Sequence, residues 1–148
     1  MTAQVSVKLL DPRAKLPTYG SDHAAGADLY ARLNHGPVEI APGGTALIRT
    51  GIAVAIPQGY VGLVFARSGL ATRQGLAPAN KVGVIDADYR GEVMVFLHNH
   101  GSHPQTVEDG ERVAQLVITP YLTAQFEPVD ELDETKRGSG SFGSTGRS

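Results

Sequence analysis

Near the start of the chain, Val5, Val7 and Leu9 alternate with Ser6 and Lys8, the period-two pattern of a half-buried strand. Four further runs are dense in valine, isoleucine, threonine and aromatics: residues 45–56 (TALIRTGIAVAI), 60–66 (YVGLVFA), 92–97 (EVMVFL) and 112–119 (RVAQLVIT). Their near-continuous apolar character predicts strands buried on both faces. One helix is predicted, and it is short, with Ser68 as N-cap, GLATRQ after it, and Gly75 as the stop. Breakers recur at Pro37, Pro42-Gly43-Gly44, Pro57-Gln58-Gly59, Gly75, Pro78, Gly83, Gly91, Gly101 and Pro104. Such punctuation, about every 8–12 residues, excludes long helices and predicts an all-β sandwich or barrel.

Composition sharpens the picture. The 148 residues are one domain's worth, and 41% are apolar, enough for a core. At 15.6 kDa the surface-to-volume ratio is large, so association of subunits would add stability. With 13 basic and 15 acidic residues the net charge is −2, which offers no broad attraction to nucleic acid or to a membrane. The absence of cysteine excludes disulfides, thiolate zinc sites and a cysteine nucleophile. The longest apolar runs, 52–56 and 93–97, have five residues each, far short of a membrane span. The N-terminal MTAQVSVKLLDPRAK has no apolar stretch of signal length. The expectation is a soluble, cytoplasmic protein.

The composition shifts at the C-terminus. Residues 127–134 (EPVDELDE) hold five acids in eight positions. TKRGSGSFGSTGRS follows, with four glycines and four serines after Arg137. Such a stretch has too little apolar surface to order itself. The division expected is a folded domain over 1–134 and a flexible C-terminal arm over 135–148. A solvated linker is the plain reading. Phe142, an aromatic with no core to join, and the Lys136-Arg137 pair instead suit a lid over a phosphorylated, ring-bearing ligand.

Four more segments place polar residues where strand or turn logic does not require them. Asp28 lies among apolar neighbours in AAGADLYA, so it either caps a turn or, if buried, needs a cation or backbone donors. Arg67-Ser68-Gly69 lies between a strand and the short helix, a place suited to an anion or simply to a helix cap beside a surface arginine. GVIDADYRGEV reads as a hairpin whose tip carries Asp86, Asp88 and Tyr89; one carboxylate is a candidate general base, or both are solvated turn residues. Gln115 interrupts an apolar strand in GERVAQL, and its amide needs partners from the sheet, a ligand or a neighbouring subunit. The His98, His100 and His103 spacing matches no zinc signature.

Together these segments resemble the five ordered motifs of the trimeric deoxyuridine triphosphatase (dUTPase) family: AGADLYA, RSGLA, GVIDADYRGE, GERVAQL and RGSGSFGSTG. The resemblance spans roughly residues 5–146. One departure is Ala66, where the family often has proline. The resemblance implies a β-clip, jelly-roll-like subunit and a homotrimer with sites at subunit interfaces, each covered by a neighbour's arm. It implies hydrolysis of dUTP to dUMP and pyrophosphate, limiting uracil in DNA and supplying dUMP for thymidylate synthesis.

The residue roles below are also implied by the resemblance. Asp86 would activate the water attacking the α-phosphorus. Mg²⁺ would bridge the triphosphate oxygens, with Asp28 helping to hold it through bound water. Arg67, Ser68 and Gly69 would grip phosphate, and Gln115 would contact the phosphate chain. Asn80, with the backbone of Val84, Ile85 and Asp86, would line the uracil pocket beside Met94. Tyr89 would pack on deoxyribose and exclude a 2′-hydroxyl. Phe142 would stack on uracil, with Arg137, Gly143 and Ser144 on the terminal phosphates. A dCTP deaminase is the nearest alternative enzyme, and a catalytically silent nucleotide-binding module the alternative from another class.

Overall fold

The computed structural model describes every residue except 144, 145, 147 and 148. Among the described residues the apolar runs form strands and the chain has one short helix. In chain order the elements are β1 (Ser6–Leu9), β2 (Thr18–Tyr19), β3 (Ala27–Tyr30), β4 (Val38–Ile40), β5 (Thr45–Ala55), β6 (Tyr60–Phe65), α1 (Ser68–Arg73), β7 (Leu76–Pro78), β8 (Gly83–Ile85), β9 (Glu92–Asn99), β10 (Gln105–Val107) and β11 (Arg112–Pro120). Two antiparallel sheets carry the fold, in the orders β1-β5-β9-β7 and β2-β3-β11-β6-β8, with β10-β4 as a separate pair. The all-β, jelly-roll-like class expected from the sequence is the class observed.

Leu29, Val113 and Leu116 of the five-stranded sheet join Ile48, Ile52, Val95 and Leu97 of the four-stranded sheet in one core cluster. Each such side chain contributes about 1.5–3 kcal/mol on burial. Where β5 meets β9 the register slips between Arg49 and Ala53, and Gly51 sits in the slip with φ of +71°. A Cβ there would stand 2.9 Å from the Ala14 methyl, so this position requires glycine twice over. Three loops are tied at the buried Arg32. Its guanidinium lies 3.0 Å from Asp11 and 3.3 Å from Asp109, and Nη1 donates to the Leu33 carbonyl. Hydrogen bonding to Asp11 raises the Arg32 pKa above its ordinary value; burial opposes that rise and the two carboxylate charges add to it.

Three expectations are corrected. Strand β9 is not buried on both faces: Val93, Val95 and Leu97 point into the core, while Met94 and Phe96 are 39% and 54% exposed. Among the described residues no second layer buries that face, so an antiparallel strand alternates even where its sequence does not. Ser68 is the first helical residue rather than the N-cap. Arg67 holds the cap position with extended backbone and no side-chain capping bond, while Gly75, at φ +69°, ends the helix as expected. Finally, GVIDADYRGEV is no hairpin. Strand β8 pairs with β6, and β9 pairs with β5 and β7, so the turn between them crosses from one sheet to the other.

Candidate active site

The strand order β3-β11-β6 gathers three of the motifs. Asp28 stands opposite Gln115, and Gln115 stands opposite Phe65, just before Ala66 and Arg67. The Asp28 side chain is 13% exposed; it accepts a 2.9 Å hydrogen bond from Arg67 Nε, and Arg112 Nη1 lies 3.7 Å away. Its partner is therefore a cation, and the cation is a guanidinium. The Gln115 Nε2 group donates to the Ala66 carbonyl at 2.8 Å, so the amide fixes the backbone that leads into Arg67. Gly26 makes room for it: a Cβ there would meet Gln115 Oε1 at 2.2 Å. Beside this cluster Gly69 faces open space. Two guanidiniums, a hydroxyl and uncrowded backbone make this end of β6 suited to a phosphate group.

The crossing turn builds a second cluster. A cleft of about 270 Å³ opens between the two sheets, lined by Asn80, Val84, Ile85, Asp86, Tyr89 and Met94 among others. Its size suits a nucleobase and sugar rather than a larger group. Strand β8 is the edge of its sheet, so its outer backbone N–H and C=O groups are unpaired. Those groups can read the donor and acceptor edge of a planar base. Tyr89 is held at both ends, its N–H on the Asp86 carbonyl at 3.1 Å and its hydroxyl on the Glu92 carbonyl at 2.8 Å. The Glu92 carboxylate in turn accepts from the Gly51 N–H at 3.2 Å and lies 3.4 Å from Arg49 Nε. Asp86 is exposed at the cleft, free to meet water. A larger groove of about 960 Å³ runs beside β1 and β2; its lining is mainly apolar and contains none of Arg67, Asp86 or Gln115.

The two clusters do not meet within one chain. Ile85 pairs with Gly62, so Asp86 continues to the level of Val61, while Arg67 follows the far end of β6. At ~3.3 Å per residue the register puts them about 20 Å apart. Among the described residues the arm joins neither cluster: Phe142 is fully exposed and Arg137 Nε donates to the Gly140 carbonyl at 2.9 Å. Gly143 is exposed too, with φ +79°, and Ser144 lies outside the described residues. The histidines are engaged locally, His98 with Thr45 and His100 with the Ala71 carbonyl.

Among the described residues no group of three or more histidines and carboxylates is placed to hold a metal. Asp28, already engaged by two arginines, fits an ion that keeps its waters. Among the described residues no helix is long and apolar enough to cross a membrane. The motif residues with side-chain chemistry were visible in the sequence, but Arg112, Glu92, Gly26 and Gly91 were not singled out. Arg112 carried a signal, as the charged residue two positions before Ala114 in the fourth motif; the glycines carried none.

The dUTPase family model matches residues 12–146. A deoxyuridine 5′-triphosphate nucleotidohydrolase of Syntrophotalea carbinolica is 51% identical over 145 residues, covering 98% of each chain. One from Desulfitobacterium hafniense is 53% identical over 137 residues, covering 92% of this chain and 90% of its own. Among solved structures, a Staphylococcus bacteriophage 80alpha dUTPase mutant with dUpNHpp superposes with a TM-score of 0.88 at 32% identity, covering 99% of this chain and 100% of its own. A mutant dUTPase of phage phi11 of S. aureus, whose structure details coordination of a structural Mg(II) ion, gives 0.77 at 28% identity over 86% of this chain and 97% of its own. The chain belongs to the dUTPase family.

Proposed function

We propose that the chain carries out its family's reaction, hydrolysis of dUTP to dUMP and pyrophosphate, at sites shared between copies of itself in a homotrimer. The observation that carries the sharing is the separation of about 20 Å between Asp86 and Arg67 along β6. Attack on the α-phosphorus needs the water-activating carboxylate and the phosphate-binding groups within a few ångströms of one another. One chain cannot supply both to the same nucleotide, whereas two copies can.

In this reading uracil lies against the unpaired backbone edge of β8, with Asn80, Val84, Ile85 and Met94 around it and Tyr89 against the deoxyribose. Asp86 takes a proton from water as the water oxygen bonds to the α-phosphorus and the bond to the bridging α–β oxygen breaks, releasing pyrophosphate. From another copy, Arg67, Ser68, Gly69 and Gln115 hold the phosphate chain, and Asp28 keeps Arg67 in place. Asp28 would help hold a triphosphate-bound Mg²⁺ through bound water, and the ion would supply charge neutralisation. Residues 135–148 act as an arm that closes over the nucleotide, Phe142 stacking on the base while Arg137, Gly143 and Ser144 meet the terminal phosphates.

The test measures pyrophosphate and ammonia release from each common nucleoside triphosphate, with and without Mg²⁺. Pyrophosphate from dUTP is expected; ammonia from dCTP would indicate a deaminase, and no release from any a silent binding module. Mixing Asp86→Asn with Arg67→Ala chains under subunit exchange is expected to regenerate activity, because mixed assemblies contain some intact sites. No recovery despite demonstrated exchange would refute sharing.

A further inference from the structure

Gly91 is exposed in the crossing turn and lies outside the left-handed region, so neither burial nor backbone conformation demands a glycine there. The space its missing side chain leaves is nevertheless filled. A Cβ at Gly91 would stand 2.6 Å from the Tyr89 hydroxyl, 2.8 Å from Cζ and 3.1 Å from Cε2. The phenolic end of the tyrosine thus occupies the space a Cβ would take, while its hydroxyl donates to the Glu92 carbonyl at 2.8 Å. Glu92 is itself pinned to the β5 bulge through Gly51 and Arg49. Ring, glycine and bulge form one continuous support for the cleft wall.

We infer that Gly91 is a specificity-determining position: it seats the Tyr89 ring where it closes the sugar side of the cleft, an inference that rests on the dUTP reading above. The hydroxyl of Tyr89 is spent on backbone, so the side chain turns ring surface rather than a donor toward the sugar. It rejects a ribose by filling space. Discrimination of that kind depends on where the ring sits, and the ring is seated by the absence of a methyl group two residues away. Alanine at 91 introduces no backbone strain, and its methyl meets only the far end of Tyr89. The ring is then expected to swing and the Glu92 bond to break.

The experiment measures kcat and KM for dUTP and for UTP with the full chain, Gly91→Ala, Tyr89→Ala, the double variant and Tyr89→Phe. Circular dichroism and light scattering serve as fold and assembly controls. Gly91→Ala is expected to lower the dUTP-to-UTP ratio of kcat/KM by about tenfold to a hundredfold, mostly through a gain on UTP. In the Tyr89→Ala background the same change is expected to do nothing further, since its target is gone. Tyr89→Phe leaves Gly91 intact and loses only the hydroxyl anchor; it is expected to lower the ratio by about threefold to tenfold, so the inference stays testable even if Gly91→Ala misfolds. A wild-type ratio in Gly91→Ala or in Tyr89→Phe, or an equal drop with and without Tyr89, would overturn it. Failure of the unaltered protein to hydrolyse dUTP would instead overturn the reading beneath it.

Discussion

Asp28→Ala removes the carboxylate that holds Arg67, and the structure sets the size of the effect. A charge-assisted hydrogen bond such as the 2.9 Å contact from Arg67 Nε, on a side chain only 13% exposed, contributes about 1.5–3 kcal/mol. Arg112, at 3.7 Å and half exposed, adds at most about 1 kcal/mol. The expected loss of folding stability is therefore about 2–4 kcal/mol. Asp28→Asn keeps an acceptor for Nε but no charge, and it should lose about half as much. Urea unfolding of Asp28→Ala, Arg67→Ala and the double variant should give a coupling of about 1.5–3 kcal/mol, because the pair acts as a unit. Kinetics separate two roles for the carboxylate. If Asp28 acts by presetting Arg67, kcat/KM falls by about 10²-fold at every Mg²⁺ concentration, as misplacement of a positioning group does. A carboxylate acting chiefly on the metal would instead raise the Mg²⁺ concentration needed for half-maximal rate. No coupling with Arg67, together with a raised Mg²⁺ requirement, would refute the reasoning.

Three further outcomes are expected. Asp86→Asn should lower turnover by ~10²–10⁴ while dUTP still binds, and near-normal turnover would remove Asp86 from its role. Gly26→Ala forces the Gln115 amide off the Ala66 carbonyl; urea unfolding should register about 1–3 kcal/mol, and the change should cost less in a Gln115→Ala background, where only the contact with the Gln115 Cβ at 3.2 Å remains. Deleting residues 136–148 should leave circular dichroism and assembly size unchanged but cut pyrophosphate release steeply, with Phe142→Ala milder since base stacking supplies only ~1–3 kcal/mol; a truncated chain with full activity would show the tail to be a plain linker.

The long strands were legible because their signal is local. Residues 45–56, 60–66, 92–97 and 112–119 became Thr45–Ala55, Tyr60–Phe65, Glu92–Asn99 and Arg112–Pro120. β2, β4, β7 and β10 span two or three residues each, too few to show a period, and only their partners make them strands. The crossing turn misled for a related reason. A tight acidic turn between two apolar runs looks like a hairpin, and hydrophobic pattern cannot say which sheet each run joins. Alternation in β9 was hidden likewise: Met94 and Phe96 are as apolar as the core residues between them.

At the site, the sequence displayed the chemistry but not its grouping. Asp28 and Arg67 are 39 residues apart, Gln115 and Ala66 49 apart, and only the order β3-β11-β6 makes them neighbours. Gly26 and Gly91 cannot be told from the other glycines among 18, because what matters is the side chain each makes room for. The linear order of the five motifs does not say which of them meet within one chain. Yet β6 is a rigid strand with the candidate phosphate-binding residues beyond one end and the candidate base near the other, and no rotamer change spans about 20 Å. Under the proposed reading a single chain supplies part of two sites. If the proposed reading holds, the separation imposed by the five-stranded sheet makes association a condition of the reaction, beyond the modest stability a small domain gains from it.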